Sequence, residues 1–260
     1  MNAEGTVRHV TKQQRVALVT GAGSGIGAGI ARELADDGVD VVIADIDGPR
    51  ATEVADEITA AGGNALPLTV DVTSRSAFEK AFETTAATFG EVDILVNNAG
   101  TGQSGGIRGI SDETWRRTIA INMDSVYIGC QLAASVMIPR RSGTIVNISS
   151  RAWLGWYGQF AYAATKGAVV SATRALAVEV AKHGITVNCI APGLIDTPLM
   201  QSLPDEVKDK LMSAQPTGTL GTAADVGWAA RFLASPAARS VTGQVLYVCG
   251  GKSVFAQPAG

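Results

Sequence analysis

The chain alternates between short, continuously apolar runs and longer alanine-rich segments in which polar and apolar residues mix. The apolar runs are four to six residues long and rich in β-branched side chains, a pattern typical of strands covered on both faces. The predicted strands are Val16–Thr20, Val39–Ala44, Ala65–Val70, Val92–Val96, Thr144–Ser149, Thr186–Ile190 and Val245–Val248. The segments between them predict helices at 26–37, 50–61, 75–89, 112–138, 158–183, 204–213 and 224–234.

This order of elements predicts an α/β fold: a single doubly wound, Rossmann-type domain with a mostly or fully parallel sheet of about seven strands and helices on both faces. No repeat or linker divides the chain, so the domain is expected to span 15–255 after an N-terminal extension at 1–14. Gly38 and Gly184 stand where helix C-terminal caps belong. Ligands of such sheets bind beyond the carboxyl ends of the strands, so functional residues are expected just after strands.

Composition excludes several classes of protein. Of the 260 residues, 46% are hydrophobic and 17% are charged, which argues against a disordered chain. The net charge of −3 and the lack of a basic block argue against nucleic-acid binding. The polar start and the short apolar runs argue against a secretory signal and a membrane span. Cys130, Cys189 and Cys249 form no Cys-x-x-Cys pair, so neither a disulfide framework nor a metal site is expected, and a cytoplasmic location fits.

A glycine-rich turn follows the first predicted strand. The segment Thr20–Gly27 reads TGAGSGIG and leads into a predicted helix. Glycines let backbone amides approach a pyrophosphate, and a helix N-terminus adds partial positive charge. The spacing is not a strict G-x-G-x-x-G, and a flexible turn is the alternative, but the position between strand and helix favours dinucleotide binding.

An acidic residue ends the second predicted strand. Asp45 stands 18 residues after Gly27, where a carboxylate can accept hydrogen bonds from the ribose hydroxyls of adenosine and repel a 2′-phosphate. The alternative is an ordinary solvated acid. Ser24 is not a basic residue of the kind that favours NADP, and Arg50 is the nearest cation. The prediction is therefore NAD(H) rather than NADP(H).

A tyrosine and a lysine lie four residues apart in the predicted helix at 158–183. Tyr162 and Lys166 therefore share one face of that helix. A nearby cation favours the phenolate, so we expect Lys166 to lower the pKa of Tyr162 and make it an acid or base for an alcohol or carbonyl. Taken alone, the pair is better explained as a surface tyrosine beside a solvated lysine. Ser149 and Ser150, at the end of the fifth predicted strand, change that balance, because a hydroxyl there can bond a substrate oxygen.

Taken together, these features resemble the short-chain dehydrogenase/reductase family over about residues 14 to 250. The matching positions are Thr20–Gly27, Asp71-Val72, Asn97–Gly100, Asn122, Ser149/Ser150, Tyr162/Lys166 and Pro192-Gly193. The resemblance implies Tyr162 as general acid/base, Lys166 as its modulator and ribose ligand, and Asn122 as support for a water-linked proton path. For the catalytic serine, the family's usual spacing of 13 positions before the tyrosine points to Ser149. Alignment of the strand points to Ser150, which we prefer.

The resemblance also implies a set of cofactor contacts. They are expected around the pyrophosphate, the adenosine ribose, the adenine, the floor of the site and the nicotinamide. The residues are Gly21, Ser24, Gly25, Ile26, Gly27, Asp45, Ile46, Asp71, Val72, Asn98, Ala99, Gly100, Tyr162, Lys166, Pro192, Gly193, Ile195 and Thr197.

Substrate and assembly are less well defined by the sequence. The segment at 197–216 occupies the position of the family's substrate lid. The aromatic side chains Trp153, Trp156 and Tyr157 either pack on the core or an interface, or line an apolar pocket. Small residues on the predicted helix of Tyr162 allow close approach of another helix, and the family resemblance implies a homotetramer.

The sequence thus predicts an oxidoreductase that transfers a hydride between NAD(H) and a small-molecule secondary alcohol or ketone. A 3-oxoacyl-thioester reductase on the same fold is the nearest alternative, although such enzymes usually prefer NADPH, which Asp45 opposes. A catalytically silent NAD-binding regulatory module is the alternative from another class. Retention of both Tyr162 and Lys166 argues against it.

Overall fold

The protein is built around one seven-stranded sheet in which every strand is parallel to its neighbours. The computed structural model describes residues 14–102, 106–213 and 215–254. The strands are β1 (Val16–Thr20), β2 (Asp40–Asp45), β3 (Ala65–Thr69), β4 (Ile94–Asn97), β5 (Gly143–Ile148), β6 (Ile185–Pro192) and β7 (Val245–Val248). The predicted fold class is confirmed. Residues 1–13 of the proposed extension and the end of the proposed domain at 255 lie outside the described residues.

The strand order is β3-β2-β1-β4-β5-β6-β7. Strand order therefore reverses between β1 and β4, which places a crevice above these two strands at the carboxyl edge of the sheet. The strand register aligns the carboxyl ends of neighbouring strands: Val19 of β1 is opposite Val96 of β4, and Asp45 of β2 is opposite Thr69 of β3. β6 continues two residues beyond its predicted end because Pro192 is still paired with Val248 of β7.

The described part of the chain contains nine α-helices, and the longer ones pack on the two faces of the sheet. The nine are α1 (Gly25–Asp36), α2 (Gly48–Ala60), α3 (Arg75–Thr88), α4 (Asp112–Ile119), α5 (Ser125–Arg140), α6 (Phe160–Val180), α7 (Pro198–Gln201), α8 (Asp205–Ser213) and α9 (Ala223–Ala234). Gly38 and Gly184 adopt the left-handed backbone conformation that ends a helix, as predicted. The short α7 was not predicted.

Alternate residues of each strand divide between two apolar layers. Val19 packs with Leu34 of α1 and Leu233 of α9 on one face, whereas Leu18 packs with Phe78 of α3 and Met137 of α5 on the other. All six side chains are almost fully buried. Burial on both faces explains why the strands are apolar throughout rather than alternating.

The helix predicted at 112–138 has a defect in its middle. Residues Ala120–Asp124 form a π-helical turn between α4 and α5, and such turns are often found at functional sites. The continuous segment Asp112–Arg140 is long and apolar enough to cross a membrane by length and composition, a test that core helices also pass. Here Ala133 and Met137 belong to the core layer beneath the sheet.

Candidate active site

A cleft of about 750 Å³ opens at the carboxyl edge of the sheet, above the point where strand order reverses. The structure brings nearly all the predicted site residues to its walls. Those that line it are Gly21, Ser24, Gly25, Ile26, Gly27, Asp45, Ile46, Asp71, Val72, Asn98, Ala99, Gly100, Ser149, Ser150, Tyr162, Lys166, Pro192, Gly193 and Thr197. Asn122 and Ile195 are not part of the wall.

The glycine-rich turn forms a tightly packed corner of the cleft. Gly21 and Gly25 have positive φ angles of 61° and 53°, which side chains disfavour. A Cβ added to Gly27 would lie 2.2 Å from the carbonyl oxygen of Gly21, so only glycine fits there. Ser24 precedes α1 without a side-chain cap. The first amides of α1 are therefore left to face an anion.

Asp45 is held against this turn by two backbone amides. Its Oδ2 accepts from the Gly23 amide at 2.8 Å, and its Oδ1 accepts from the Asp47 amide at 3.0 Å. A Cβ on Gly23 would lie 3.0 Å from the Asp45 carboxyl group. Arg50 pairs with Asp47 at 3.4 Å. The carboxylate at the end of β2 is thus fixed in position beside the cleft.

Two further polar residues fix the loops that follow β3 and β4. Asp71 Oδ1 accepts from the amide and the hydroxyl of Thr73, at 2.9 and 2.7 Å. Asn98 Nδ2 donates to the carbonyl oxygens of Thr20 and Gly21 at 2.9 and 3.0 Å. Asn98 therefore joins the end of β4 to the glycine-rich turn and closes the floor of the cleft.

The two serines after β5 have different surroundings. Ser149 is 3% exposed, and its hydroxyl donates to the carbonyl oxygen of Lys166 at 2.8 Å. Ser150 accepts from the Ala152 amide at 3.1 Å and lies close enough to the Tyr162 hydroxyl to lower the pKa of that phenol. The geometry thus favours Ser150 as the partner of Tyr162, and Ser149 anchors α6 to β5.

Tyr162 lines the cleft, but its predicted acidification is wrong for this structure. Burial raises the pKa of Tyr162, and the Ser150 hydroxyl offsets only part of that effect. Lys166 Nζ lies 5.8 Å from the centre of the Tyr162 ring and donates to the Ile148 carbonyl oxygen at 2.8 Å. The expected lowering is not found because the amine is held at a backbone carbonyl while the buried phenol loses hydration.

Lys166 is itself strongly affected by its surroundings. Burial lowers the pKa of Lys166 to about 8, and the neighbouring Cys189 opposes this. Burial raises the pKa of the Cys189 thiol to about 11. Lys166 therefore changes its charge within reach of neutral pH, which is a common property of functional lysines.

Asn122 lies behind the cleft, in the π-helical turn, and is fully buried. Its Oδ1 accepts from the Thr101 amide at 2.7 Å, and its Nδ2 donates to the Thr101 carbonyl at 3.0 Å and the Thr165 hydroxyl at 3.1 Å. A Cβ on Gly100 would lie 3.3 Å from Asn122 Oδ1 and 3.4 Å from Lys166 Nζ. Asn122 thus joins the loop after β4 to α6, close to the amine.

The segment after β6 closes the cleft on its far side. The amide of Gly193 donates to Val248 at 2.9 Å, and a Cβ on Gly193 would lie 2.7 Å from the Cys249 Cα. Ile195 was predicted to contact the nicotinamide, but its side chain is buried in the core and its backbone is paired with Gly221. Thr197 reaches the cleft at the start of α7, where the proposed lid begins.

The aromatic residues after Ser150 do not line this cleft. Trp153 packs against a small core cluster that includes Val126 and Val170. Trp156 is stacked with the Arg151 guanidinium, 4.9 Å from its ring centre, and Tyr157 is fully exposed. The core-packing interpretation therefore holds for Trp153.

Several lining residues were not predicted. Most of them are adjacent in sequence to predicted motifs, and that adjacency is the one signal that could have found them. Arg117 belongs to no motif. These residues are Val70, Thr73, Thr101, Gly102, Arg117, Ala120, Ile121 and Ile148.

Comparison with known proteins decides the family. A family model described as enoyl-(acyl carrier protein) reductase matches residues 21–253. The BbsD subunit of (2S)-[(R)-hydroxy(phenyl)methyl]succinyl-CoA dehydrogenase from Thauera aromatica is 45% identical over 244 residues, covering 94% of this chain and 98% of that protein. The chain belongs to the short-chain dehydrogenase/reductase family.

Two further similarities agree with this assignment. The 3-oxoacyl-[acyl-carrier-protein] reductase FabG of Escherichia coli is 38% identical over 238 residues, with 91% of this chain and 96% of that protein covered. A crystal structure of a variant actinorhodin polyketide ketoreductase with NADPH superposes with a TM-score of 0.89 at 33% identity, covering 93% of this chain and 98% of that one. This short-chain dehydrogenase/reductase is accordingly an oxidoreductase of alcohol or ketone groups that uses a nicotinamide cofactor.

Proposed function

We propose that this protein transfers a hydride between NAD(H) and a secondary alcohol or ketone, with Tyr162 as the general acid/base. The observation that carries the proposal is the meeting of Tyr162, Ser150 and Lys166 with the glycine-rich turn in one cleft. A catalytically silent NAD-binding module would not need these three side chains beside the glycine-rich turn.

The residues present fit a dinucleotide. A Cβ at Gly27 would strike backbone, and the turn presents free amides at the start of α1, as a pyrophosphate requires. We assign the diphosphate to the turn from Gly21 to Gly27, adenine to Asp71 and Val72, and the nicotinamide end to the walls formed by Asn98–Gly100, Pro192 and Gly193. When bound, the cofactor supplies or accepts the hydride.

The chemistry of the chain's own residues is proton transfer and orientation. Ser150 and Tyr162 hydrogen-bond the substrate oxygen, and Tyr162 moves the proton. Because burial raises its pKa, Tyr162 holds its proton at neutral pH and is suited to protonate a carbonyl oxygen in the reduction direction. Lys166 holds the nicotinamide ribose, and Asn122 supports a water-linked proton path to it.

Asp45 supports the preference for NAD(H). Its two anchoring hydrogen bonds to backbone amides fix a carboxylate at the ribose end of the cleft, where it accepts from ribose hydroxyls and repels a 2′-phosphate. Arg50, the nearest cation, is engaged with Asp47.

A 3-oxoacyl or 3-hydroxyacyl thioester is the second candidate substrate. The names of BbsD and FabG, which refer to a succinyl-CoA and to an acyl carrier protein, favour it. A simple secondary alcohol, cyclic or otherwise apolar, is the first. The same proton and hydride transfer serves both candidate substrates. They differ only in the part of the substrate that the residues around the cleft mouth would recognise.

The remaining proposals concern organisation. We propose one domain over 15–255 with a substrate lid at 197–216, a cytoplasmic location consistent with free thiols at Cys130, Cys189 and Cys249, and a homotetramer in which the small residues of α6 meet another helix. Light scattering at micromolar concentration tests the assembly, and a monomer contradicts it.

The function is tested by following NADH absorbance with purified protein across secondary alcohols, sugars, steroids and oxoacyl thioesters. We expect turnover with at least one alcohol/ketone pair, and faster turnover with NAD(H) than with NADP(H). Binding of NADH without turnover of any member of the panel, under conditions where a known reductase is active, favours the silent module instead.

A further inference from the structure

The cleft holds one exposed cation that no predicted motif accounts for. Four charged residues line the cleft within the described residues: Asp45, Asp71, Arg117 and Lys166. Lys166 is buried and donates to a carbonyl. Arg117 is exposed, in the last turn of α4, and no hydrogen bond or ion pair to a described residue holds its guanidinium.

The neighbouring arginine provides a contrast. Arg116 forms an ion pair with Asp112 one turn earlier, at 3.7 Å, and does not line the cleft. Two adjacent arginines of the same helix therefore differ: one has an acidic partner on its own helix and the other faces the ligand space. Surface pairing explains Arg116, whereas Arg117 has no acidic partner among the described residues.

Helix geometry shows which end of the cleft Arg117 serves. Trp115 packs on Phe160 at the start of α6, with ring centres 6.0 Å apart. Successive residues of an α-helix turn by about 100°, so Arg117 points about 200° away from Trp115. Arg117 thus faces away from α6, which carries Tyr162 and packs on β5 and β6, and we infer that it points along the sheet toward β1, β2 and β3. That side carries Asp45 and Asp71.

We propose that Arg117 binds the adenosine half of the dinucleotide, with its guanidinium over the adenine base. This rests on the proposed function, since it needs a dinucleotide in the cleft. The adenine then lies between the loop of Asp71 and Val72 and the wall formed by Arg117 and Ile121. Planar guanidinium groups stack on aromatic rings, and an exposed contact of this kind contributes a small but measurable affinity.

Calorimetric titration of wild type, Arg117→Ala and Arg116→Ala with three probes tests the proposal. The probes are NADH, ADP-ribose, which lacks nicotinamide, and reduced nicotinamide mononucleotide, which lacks adenosine. We expect Arg117→Ala to weaken NADH and ADP-ribose binding by about three- to fivefold and to leave the mononucleotide unchanged. Arg116→Ala should bind all three as wild type does, and thermal melts check that both variants are folded.

The outcomes separate this proposal from the function on which it rests. Equal affinity of wild type and Arg117→Ala for ADP-ribose overturns the role of Arg117 and leaves the function intact. An equal loss in Arg116→Ala overturns it too, because it shows a general charge effect. A wild-type protein that binds neither NADH nor ADP-ribose refutes the proposed function, and the role of Arg117 with it.

Discussion

The two ends of the sheet carry cavities of similar size but opposite chemistry. The cleft at the carboxyl end measures about 750 Å³, and a second cavity at the amino end measures about 810 Å³. The first is lined by glycines, amides, a tyrosine and a buried lysine. The second is lined by Arg15, Arg140 and Arg239, with Asp93 and several hydroxyls. Size alone therefore does not identify the site.

The direction of the helices explains the difference. In a parallel sheet with crossover helices, helix N-termini collect at the carboxyl end of the strands and helix C-termini at the amino end. At the amino end Arg15 donates to the carbonyl of Ala234, the last residue of α9, and Arg140 binds both the Val92 carbonyl and Asp93. These arginines satisfy carbonyls of the fold. In the described part of the chain, the uncapped start of α1 puts amides that can face an anion at the carboxyl end.

The largest expected contrast between the two ends is in turnover. Tyr162→Phe removes the proton donor of the carboxyl-end cleft and should lower kcat by about 10²- to 10⁴-fold, with NADH binding nearly unchanged. Arg239→Ala, at the amino-end cavity, should stay within about twofold of wild type, as surface changes usually do. Steady-state kinetics and NADH titration measure both.

Two results contradict this contrast. Activity of Tyr162→Phe within about tenfold of wild type removes Tyr162 from its role. A loss of turnover in a well-folded Arg239→Ala variant places function at the amino end as well.

The next effect concerns cofactor choice. Asp45→Ala should lower the ratio of kcat/KM for NAD to that for NADP by about tenfold or more, because a charge-assisted bond to ribose is lost and repulsion of a 2′-phosphate disappears. Asp45→Asn is the matched control. It keeps an acceptor for the Gly23 amide and tests the charge alone. A wild-type enzyme that already prefers NADP contradicts the assignment.

The difference between the ends also explains what the sequence predicts well. Strand–helix alternation and glycines at strand ends are local signals, and the fold class, the strand positions and most of the cleft wall follow from them. The choice between Ser149 and Ser150 is not local, because it depends on which hydroxyl faces Tyr162 across a loop from another element.

Other features depend on packing that spacing does not encode. The spacing of Tyr162 and Lys166 predicts a shared helix face but not that Lys166 is held at the Ile148 carbonyl, so the predicted pKa lowering is wrong. The π-helical turn at Asn122 and the position of Arg117 on the cleft wall have no motif. The side chain of Ile195 is buried in the core and its backbone pairs with Gly221, neither of which the motif shows.

A smaller effect is expected on stability. Gly27→Ala at the carboxyl end places a methyl group 2.2 Å from the Gly21 carbonyl oxygen, so we expect a loss of about 1–3 kcal/mol in the free energy of unfolding together with weaker NADH binding. In Gly143→Ala at the amino end the three nearest atoms all belong to the side chain of Met137, which can shift more readily than backbone. Urea unfolding should show the smaller loss there, with NADH binding unchanged. An equal loss of NADH affinity in both variants contradicts the contrast.

The last effect is a pH dependence of stability at the carboxyl end. Burial lowers the pKa of Lys166 from 10.5 to about 8. Below pH 8 the amine is charged in both folded and unfolded states, so the full cost of burying the charge is present. Between pH 8 and 10.5 the folded protein has lost this proton and the unfolded chain still binds it, so the free energy of unfolding rises with pH.

Lys166→Met removes this dependence along with the charge. The difference in the free energy of unfolding, variant minus wild type, should be about 2 kcal/mol larger at pH 7 than at pH 10. The other titrating groups contribute equally to both proteins and cancel in this difference. Loss of the hydrogen bond to Ile148 lowers its stability equally at both pH values and leaves the difference intact. Urea unfolding at the two pH values measures it. If this difference is the same at both pH values, the amine of Lys166 is not a buried charge. Water or a counter-charge would then reach Lys166 at the carboxyl end of the sheet, as solvent reaches the arginines at the amino end.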